Sequence, residues 1–182
     1  SDVYKRQLIE YGHIDYVENK VQEAAEKWKE IKKKNSKIKL HMIGKLQTNK
    51  VKFAVPLFDY IHSVDSEKLA KKIADEQNKI NKKIKIFLQV NIGNENQKSG
   101  IGKDNLNQLI SYCKGIGLDL VGLMCIPPAN IDPESYFDEM KKINKSKGFS
   151  ELSMGMSSDI LKAAEYSSTY IRIGSKIFGQ RY

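Results

Sequence analysis

The chain has 182 residues, of which 40% are hydrophobic and 29% charged, a balance that fits one domain with a packed core. It carries 31 basic and 22 acidic residues, for a formal net charge of +9. No apolar run approaches the ~20 residues that a membrane helix needs, and the first residues lack the apolar core of a signal peptide. The two cysteines, Cys113 and Cys125, have neither metal-site nor redox spacing. We therefore expect a soluble, cytoplasmic protein with no membrane partner.

The positive charge raises the question of nucleic-acid binding. Only three of the 31 basic residues are arginines, namely Arg6, Arg172 and Arg181, whereas proteins that read bases and phosphates usually use the bidentate arginine fork. The densest basic stretch, from Lys27 to Lys39, also contains apolar residues at helical spacing. We interpret the charge as a solvated lysine-rich face with no specific nucleic-acid partner. A basic nucleic-acid-binding protein remains the less favoured alternative.

Hydrophobic periodicity predicts helices and strands that alternate along the chain. In chain order, the pattern predicts a helix over 18–34, strands over 39–44 and 58–64, a helix over 66–80, a strand over 84–91, a helix around 106–113, a strand over 118–126, a helix that begins at Pro133, a strand over 152–154, a helix over 158–166 and a strand over 169–173. A strand over 14–17 would raise the number of strands from six to seven. Nearly continuous apolar strands between amphipathic helices are typical of a parallel sheet covered by helices. Seven such units in one short chain favour an α/β barrel or near-barrel.

In such a barrel, ligands bind at the carboxyl ends of the strands, and the loops after the last two strands commonly hold phosphate. Ser157, Gly174 and Ser175 lie in these two loops and could form an anion cradle from backbone N–H groups. Ordinary capping of a strand-to-helix turn explains the same residues equally well.

Arg172 stands within the apolar strand Thr-Tyr-Ile-Arg-Ile-Gly, in a chain that otherwise uses lysine. A buried guanidinium needs a partner, which could be a ligand or an internal salt bridge. His41 and His62 lie on predicted strands, where a hydrogen-bonded core histidine is commoner than a ligand-binding one. The sequence contains no zinc-site spacing, P-loop or Gly-x-Gly-x-x-Gly motif.

Six segments of the chain resemble the pyridoxal phosphate homeostasis proteins. They are HMIGKLQTNK (41–50), IHSVDS (61–66), FLQVNIGNENQKSGI (87–101), GLMCIPP (122–128), LSMGMSSD (152–159) and YIRIGSKIFGQRY (170–182). The resemblance runs from about Gly12 to the last residue. It implies a (β/α)8 barrel of the TIM type, similar to the N-terminal domain of alanine racemase.

The resemblance also implies a bound cofactor, pyridoxal 5′-phosphate (PLP), the active form of vitamin B6. It implies a non-catalytic role in PLP and amino-acid homeostasis, with PLP-dependent apo-enzymes as further partners. By position, Arg172 matches the arginine that faces the pyridine nitrogen, Ser157, Gly174 and Ser175 match the phosphate-binding positions, and Asn19 matches an asparagine near the cofactor. A racemase-like enzyme is the alternative, although alanine racemase needs a tyrosine base from a separate domain.

The first residues depart from the family pattern. The family carries its Schiff-base lysine at the end of the first strand, in an Ala-Val-Ser-Lys type segment, and nothing here matches it. We therefore expect an N-terminally truncated chain that lacks strand one and the covalent lysine and that holds PLP weakly. On this interpretation, residues 1–7 are an unmatched segment that could be foreign, and residues 8–182 form a single PLP-binding barrel domain. Val17 also replaces a glycine of the family's Phe-Gly-Glu-Asn segment.

Overall fold

A computed structural model describes residues 2–96 and 98–174 of the chain. The described part contains seven strands: β1 (Asp15–Glu18), β2 (Lys39–Met42), β3 (Tyr60–Val64), β4 (Lys85–Gln89), β5 (Asp119–Met124), β6 (Glu151–Met156) and β7 (Tyr170–Arg172). It contains seven α-helices: α1 (Asp2–Glu10), α2 (Val21–Lys34), α3 (Val51–Leu57), α4 (Glu67–Lys79), α5 (Leu106–Gly115), α6 (Glu134–Ser146) and α7 (Ile160–Glu165). Short 3-10 turns precede α3 and α5.

The strands form one sheet in which every neighbouring pair is parallel and the order follows the chain from β1 to β7. The sheet curves strongly, as the contact between β7 and β3 shows: the Tyr170 hydroxyl lies 3.4 Å from the Tyr60 hydroxyl. The Tyr170 ring also lies 5.2 Å from the His41 ring on β2. These contacts across the interior make the sheet a nearly closed barrel. The predicted parallel α/β barrel is therefore confirmed, with seven strands in the described part of the chain.

The sequence pattern explains how the two layers pack. In β4 the residues Ile86, Phe87 and Leu88 are all fully buried, since one face points into the barrel and the other is covered by helices. In α2 the buried residues Val21, Ala24 and Trp28 share one stripe, and the solvent-facing positions are mostly charged. Burial of such stripes against the strands provides the main apolar core.

The observed strands and most helices match the predicted ones, with ends that differ by a few residues. Residues 15–17 of the segment 14–17, which was considered as a possible seventh strand, belong to β1. Two helices, α1 and α3, were not predicted. The foreign origin of residues 1–7 stays a prediction, but residues 2–7 belong to α1, whose Leu8 and Ile9 pack against the core. Among the described helices, none is long and apolar enough to cross a membrane.

Candidate functional site

Three of the predicted site residues lie together at the carboxyl ends of β6 and β7. Arg172 is the last residue of β7 and is buried, Ser157 follows β6 directly, and Gly174 follows β7 by two residues. The Gly174 backbone N–H donates a hydrogen bond to the Ser157 hydroxyl at 3.3 Å. The structure therefore joins the two loops that hold the candidate residues for an anion cradle. Ser175 lies outside the described residues.

The loop after β6 is held in a tight turn. The Met156 N–H donates to the Asp159 carboxylate at 2.6 Å. Gly155 has a φ of +93°, a left-handed conformation that favours glycine, and a side chain there would collide with Ala163. Glycine at 155 thus lets the chain turn sharply, which brings Ser157 toward the loop that follows β7.

The Arg172 guanidinium is fixed by two neutral acceptors. Nη1 donates to the Ser153 hydroxyl and Nη2 donates to the Cys125 carbonyl, each at 3.0 Å. In the part of the chain that the structure describes, no carboxylate lies within 4.0 Å of this guanidinium. Burial lowers the pKa of Arg172, and the negative charge of Asp159 opposes that effect. Arginine nevertheless stays protonated in proteins, so the site contains a buried cation.

These contacts can be compared with the two partners considered for Arg172, a ligand and an internal salt bridge. The internal salt bridge is absent among the described residues. A guanidinium has five N–H donors, and hydrogen bonds to described residues occupy two of its nitrogens. The donors that remain can bind a ligand at the carboxyl end of the barrel.

Asn19 lies at the same end of the barrel, but in a different part of it. It is exposed and lines a cavity of about 280 Å³ with residues of the loop after β2, including Lys45 and Gln47. The Asn19 carbonyl approaches Gly44 so closely that any side chain at residue 44 would collide with it. Among the described contacts, no hydrogen bond joins Asn19 to Ser157, Arg172 or Gly174.

A chain of polar side chains extends behind Arg172 through the barrel interior. Ser153 Oγ lies 2.8 Å from His62 Nδ1, His62 Nε2 lies 2.9 Å from His41 Nδ1, and His41 Nε2 lies 2.9 Å from Asp15 Oδ1. Both histidines are almost completely buried. The expectation that they are hydrogen-bonded core residues is confirmed. Their connection to Arg172 was not predicted.

Aromatic rings surround this chain. The Tyr60 ring stacks on His41 and the Phe87 ring stacks on His62, both with centroids 4.2 Å apart. Tyr170 meets His62 edge-on at 5.9 Å. The apolar surroundings lower the pKa of His41, although Asp15 opposes the shift. Burial lowers the pKa of His62 much further, with smaller contributions from His41 and Arg172. Both imidazoles are therefore neutral near pH 7.

Comparisons with known proteins agree with this geometry. The family described as alanine racemase, N-terminal domain, matches residues 4–182. The pyridoxal phosphate homeostasis protein of Pasteurella multocida is 33% identical over 192 residues, which cover 100% of this chain and 82% of the relative. The corresponding protein of Aquifex aeolicus is 35% identical over 186 residues, which cover 97% of this chain and 81% of the relative.

Among solved structures, PipY of Synechococcus elongatus PCC7942, determined with PLP bound, superposes with a TM-score of 0.89. It is 30% identical, and the match covers 97% of this chain and 87% of PipY.

Proposed function

The chain belongs to the alanine racemase N-terminal domain family and, within it, to the pyridoxal phosphate homeostasis proteins; from that premise, we propose that it binds PLP at the carboxyl end of its barrel. We propose that it holds the cofactor without turnover and so takes part in PLP and amino-acid homeostasis. Release to PLP-dependent apo-enzymes is part of this proposal. We place the function in the cytoplasm, since Cys113 and Cys125 are both buried free thiols, as in reducing compartments.

The single observation that carries the proposal is the buried Arg172 cation, which has no carboxylate partner among the described residues. A buried charge is costly unless it is paired or fully hydrogen-bonded, so a ligand with lone pairs or negative charge would satisfy its remaining donors. A guanidinium beside a pyridine nitrogen donates to that nitrogen and disfavours its protonation. When bound, PLP supplies an electron-withdrawing ring and an aldehyde that is reactive toward amines.

The other predicted residues fit the remaining parts of this cofactor. We propose that Ser157 and Gly174 hold the phosphate, because a hydroxyl and a backbone N–H already meet there at 3.3 Å, and that Ser175 joins them. Asn19 would contact the cofactor from the side of β1. These groups donate hydrogen bonds to an anion and orient the ring, while the buried strand ends exclude water from one side.

We propose that the described residues hold PLP by hydrogen bonds and charge alone. Lys5, the one lysine that precedes β1 in the sequence, already has other partners. Its Nζ lies 3.4 Å from Glu18 Oε1 and 5.2 Å from the centroid of the Trp28 ring. Trp28 also donates to the same carboxylate oxygen at 2.7 Å, so this ammonium is held among α1, α2 and the end of β1.

A PLP titration of the wild type and the Arg172→Gln variant, followed by absorbance, tests the proposal. We expect Arg172→Gln to weaken PLP binding by about tenfold or more, because a hydrogen bond to a charged group is worth roughly 1.5–3 kcal/mol. Arg6→Gln is the matched control, since Arg6 is exposed on α1. Thermal melting shows whether each variant is folded.

Three results would contradict the proposal. The wild type could fail to bind PLP, or a folded Arg172→Gln variant could bind as tightly as the wild type. The third result is a pyridoxyl group on one lysine in stoichiometric amount after borohydride reduction of the loaded protein. Peptide mapping detects this group, which would show that PLP is bound covalently.

A further inference from the structure

The polar chain behind Arg172 is unusual because it is continuous and has an ionised group at each end. It runs from the Arg172 guanidinium through Ser153, His62 and His41 to the Asp15 carboxylate, with donor–acceptor distances between 2.8 and 3.0 Å. These residues come from β7, β6, β3, β2 and β1, so the chain crosses the whole interior. At the far end, the Asp15 side chain is 40% exposed, whereas the side chain of its partner His41 is only 1% exposed.

With both imidazoles neutral, as their lowered pKa values indicate, the two ends determine the direction of every hydrogen bond between them. Arginine can only donate and an ionised carboxylate can only accept. Arg172 therefore donates to the Ser153 oxygen, and the Ser153 hydroxyl is free to donate to His62 Nδ1. His62 must then carry its proton on Nε2 and donate to His41 Nδ1, and His41 donates from Nε2 to Asp15. One assignment of protons satisfies all four contacts, with both imidazoles neutral and in the Nε2–H tautomer.

Such a series is stronger than its separate members. Each hydroxyl or imidazole accepts at one atom and donates at another, so neighbouring hydrogen bonds polarise each other in the low-dielectric interior. The surroundings of the chain are largely aromatic, which leaves few competing partners. The charged or titratable groups that face it are Asp15 from β1, Tyr60 from β3, Tyr170 and Arg172 from β7 and, at longer range, Lys32 of α2 and Asp59.

We propose that Ser153 and His62 are positioning residues that orient the Arg172 guanidinium toward the bound cofactor. His62 fixes the rotation of the Ser153 hydroxyl, so that a lone pair of the oxygen points at Arg172 Nη1. Together with the Cys125 carbonyl, this holds the guanidinium at two nitrogens and directs its other donors to the site. The inference rests on the proposed function, since it takes PLP as the ligand that Arg172 meets.

Affinity for PLP in a set of buried variants tests this role. Ser153→Ala removes the acceptor of Arg172 Nη1, and we expect PLP binding about tenfold weaker than in the wild type. Ser63→Ala is the matched control, because the Ser63 hydroxyl on β3 is also buried but has no hydrogen-bond partner in the described structure. We expect Ser63→Ala to bind PLP as the wild type does.

A second pair of variants separates hydrogen bonding from packing at residue 62. His62→Phe keeps a ring that can stack on Phe87 but removes the acceptor for Ser153. His62→Asn loses the ring but offers a carbonyl oxygen near the former Nδ1 position. We expect His62→Asn to bind PLP more tightly than His62→Phe. If residue 62 acted only through the packing of its ring, His62→Phe would be the tighter binder.

Nitrogen NMR of the cofactor-free wild type tests the chain of hydrogen bonds from Arg172 to Asp15 without PLP. The ¹⁵N shifts of His41 and His62 should both report neutral imidazoles protonated on Nε2. A proton on Nδ1 of either ring, or a charged ring at pH 7, would overturn the assignment.

The outcomes distinguish the two proposals. Wild-type protein that does not bind PLP would refute the proposed function. The NMR result would still decide whether the hydrogen bonds from Arg172 to Asp15 have the proposed directions. If the wild type binds PLP and a folded Ser153→Ala variant binds it equally well, the positioning role is refuted and the proposed function stands.

Discussion

At the scale of single residues, Lys82 shows how one side chain completes a helix. Its Nζ donates to three backbone carbonyls at the end of α3, those of Val55 at 3.0 Å, Pro56 at 3.1 Å and Phe58 at 2.7 Å. The last carbonyls of a helix have no partners within it and lie at the negative end of its dipole. A cation placed there satisfies three acceptors at once, but burial lowers the pKa of Lys82 to about 8.

We expect Lys82→Met to lower the free energy of unfolding by about 1 kcal/mol at pH 7, since it leaves these carbonyls without their donor. The difference should grow between pH 8 and pH 10. In that range the unfolded chain, with a lysine pKa near 10.5, binds more protons than the folded protein, so Lys82 makes stability rise with pH. Urea unfolding at several pH values measures both effects.

Lys83→Met serves as the control for this prediction, because Lys83 is exposed and adjacent. Its stability should follow that of the wild type at each pH. A Lys82→Met variant whose loss of stability is the same at pH 7 and pH 10 would show that the Lys82 ammonium carries no burial penalty.

The candidate site shows which single residues the sequence could single out as candidates. Arg172 was identifiable because a charged residue interrupts an apolar strand, and Ser157 and Gly174 because they occupy loops at the carboxyl end. The link from Ser153 to His62 carried no such signal. Ser153 is an ordinary strand residue, and its partner lies on β3, so their meeting depends on the curvature of the whole sheet.

At the scale of elements, a buried asparagine ties a helix to a strand. Asn144 of α6 accepts from the Leu123 N–H of β5 at 3.0 Å and donates to the Phe149 carbonyl at 3.3 Å. In the sequence this residue begins an Asn-Lys-Ser triplet, which gives no hint of burial. Its amide instead fixes how α6 lies on the sheet.

Asn144→Ala should therefore lower the free energy of unfolding by about 1–3 kcal/mol, because the buried N–H of Leu123 loses its acceptor. Asn107→Ala is the matched control, since Asn107 is an exposed position within α5. Chemical denaturation of both variants measures the difference. Equal stabilities of the two alanine variants would show that the Leu123 N–H finds another acceptor.

The two helices that the sequence did not predict have physical reasons for being missed. Helix α3 has only seven residues and contains Pro56, which normally disfavours a helix interior. Its end is stabilised by Lys82 and by Lys32, which donates to the Leu57 carbonyl at 2.8 Å. Helix α1 has a weak apolar stripe, and its packing depends on contacts with the core through Leu8 and Ile9. Tertiary contacts therefore outweigh local propensity in both helices.

At the scale of the whole molecule, the net charge is +9, and many lysines occupy exposed positions on the described helices. Several lysines pair with carboxylates one turn away on the same helix, such as Lys33 with Glu30 on α2, Lys71 with Asp75 on α4 and Lys142 with Asp138 on α6. Exposed pairs of this kind add little stability. They do reduce the positive field on those helix faces, which disfavours a continuous basic groove for a nucleic-acid strand.

We therefore expect this protein to bind nucleic acid only through generic charge attraction. Fluorescence anisotropy with labelled RNA and DNA oligonucleotides of several sequences should show weak binding at 50 mM salt and at least about a tenfold loss by 200 mM, because released counterions drive such binding. Affinity should be the same for every sequence, because generic attraction to phosphates does not read the bases. A clear preference for one sequence, or an affinity that salt does not weaken, would instead assign a specific nucleic-acid site to the basic surface.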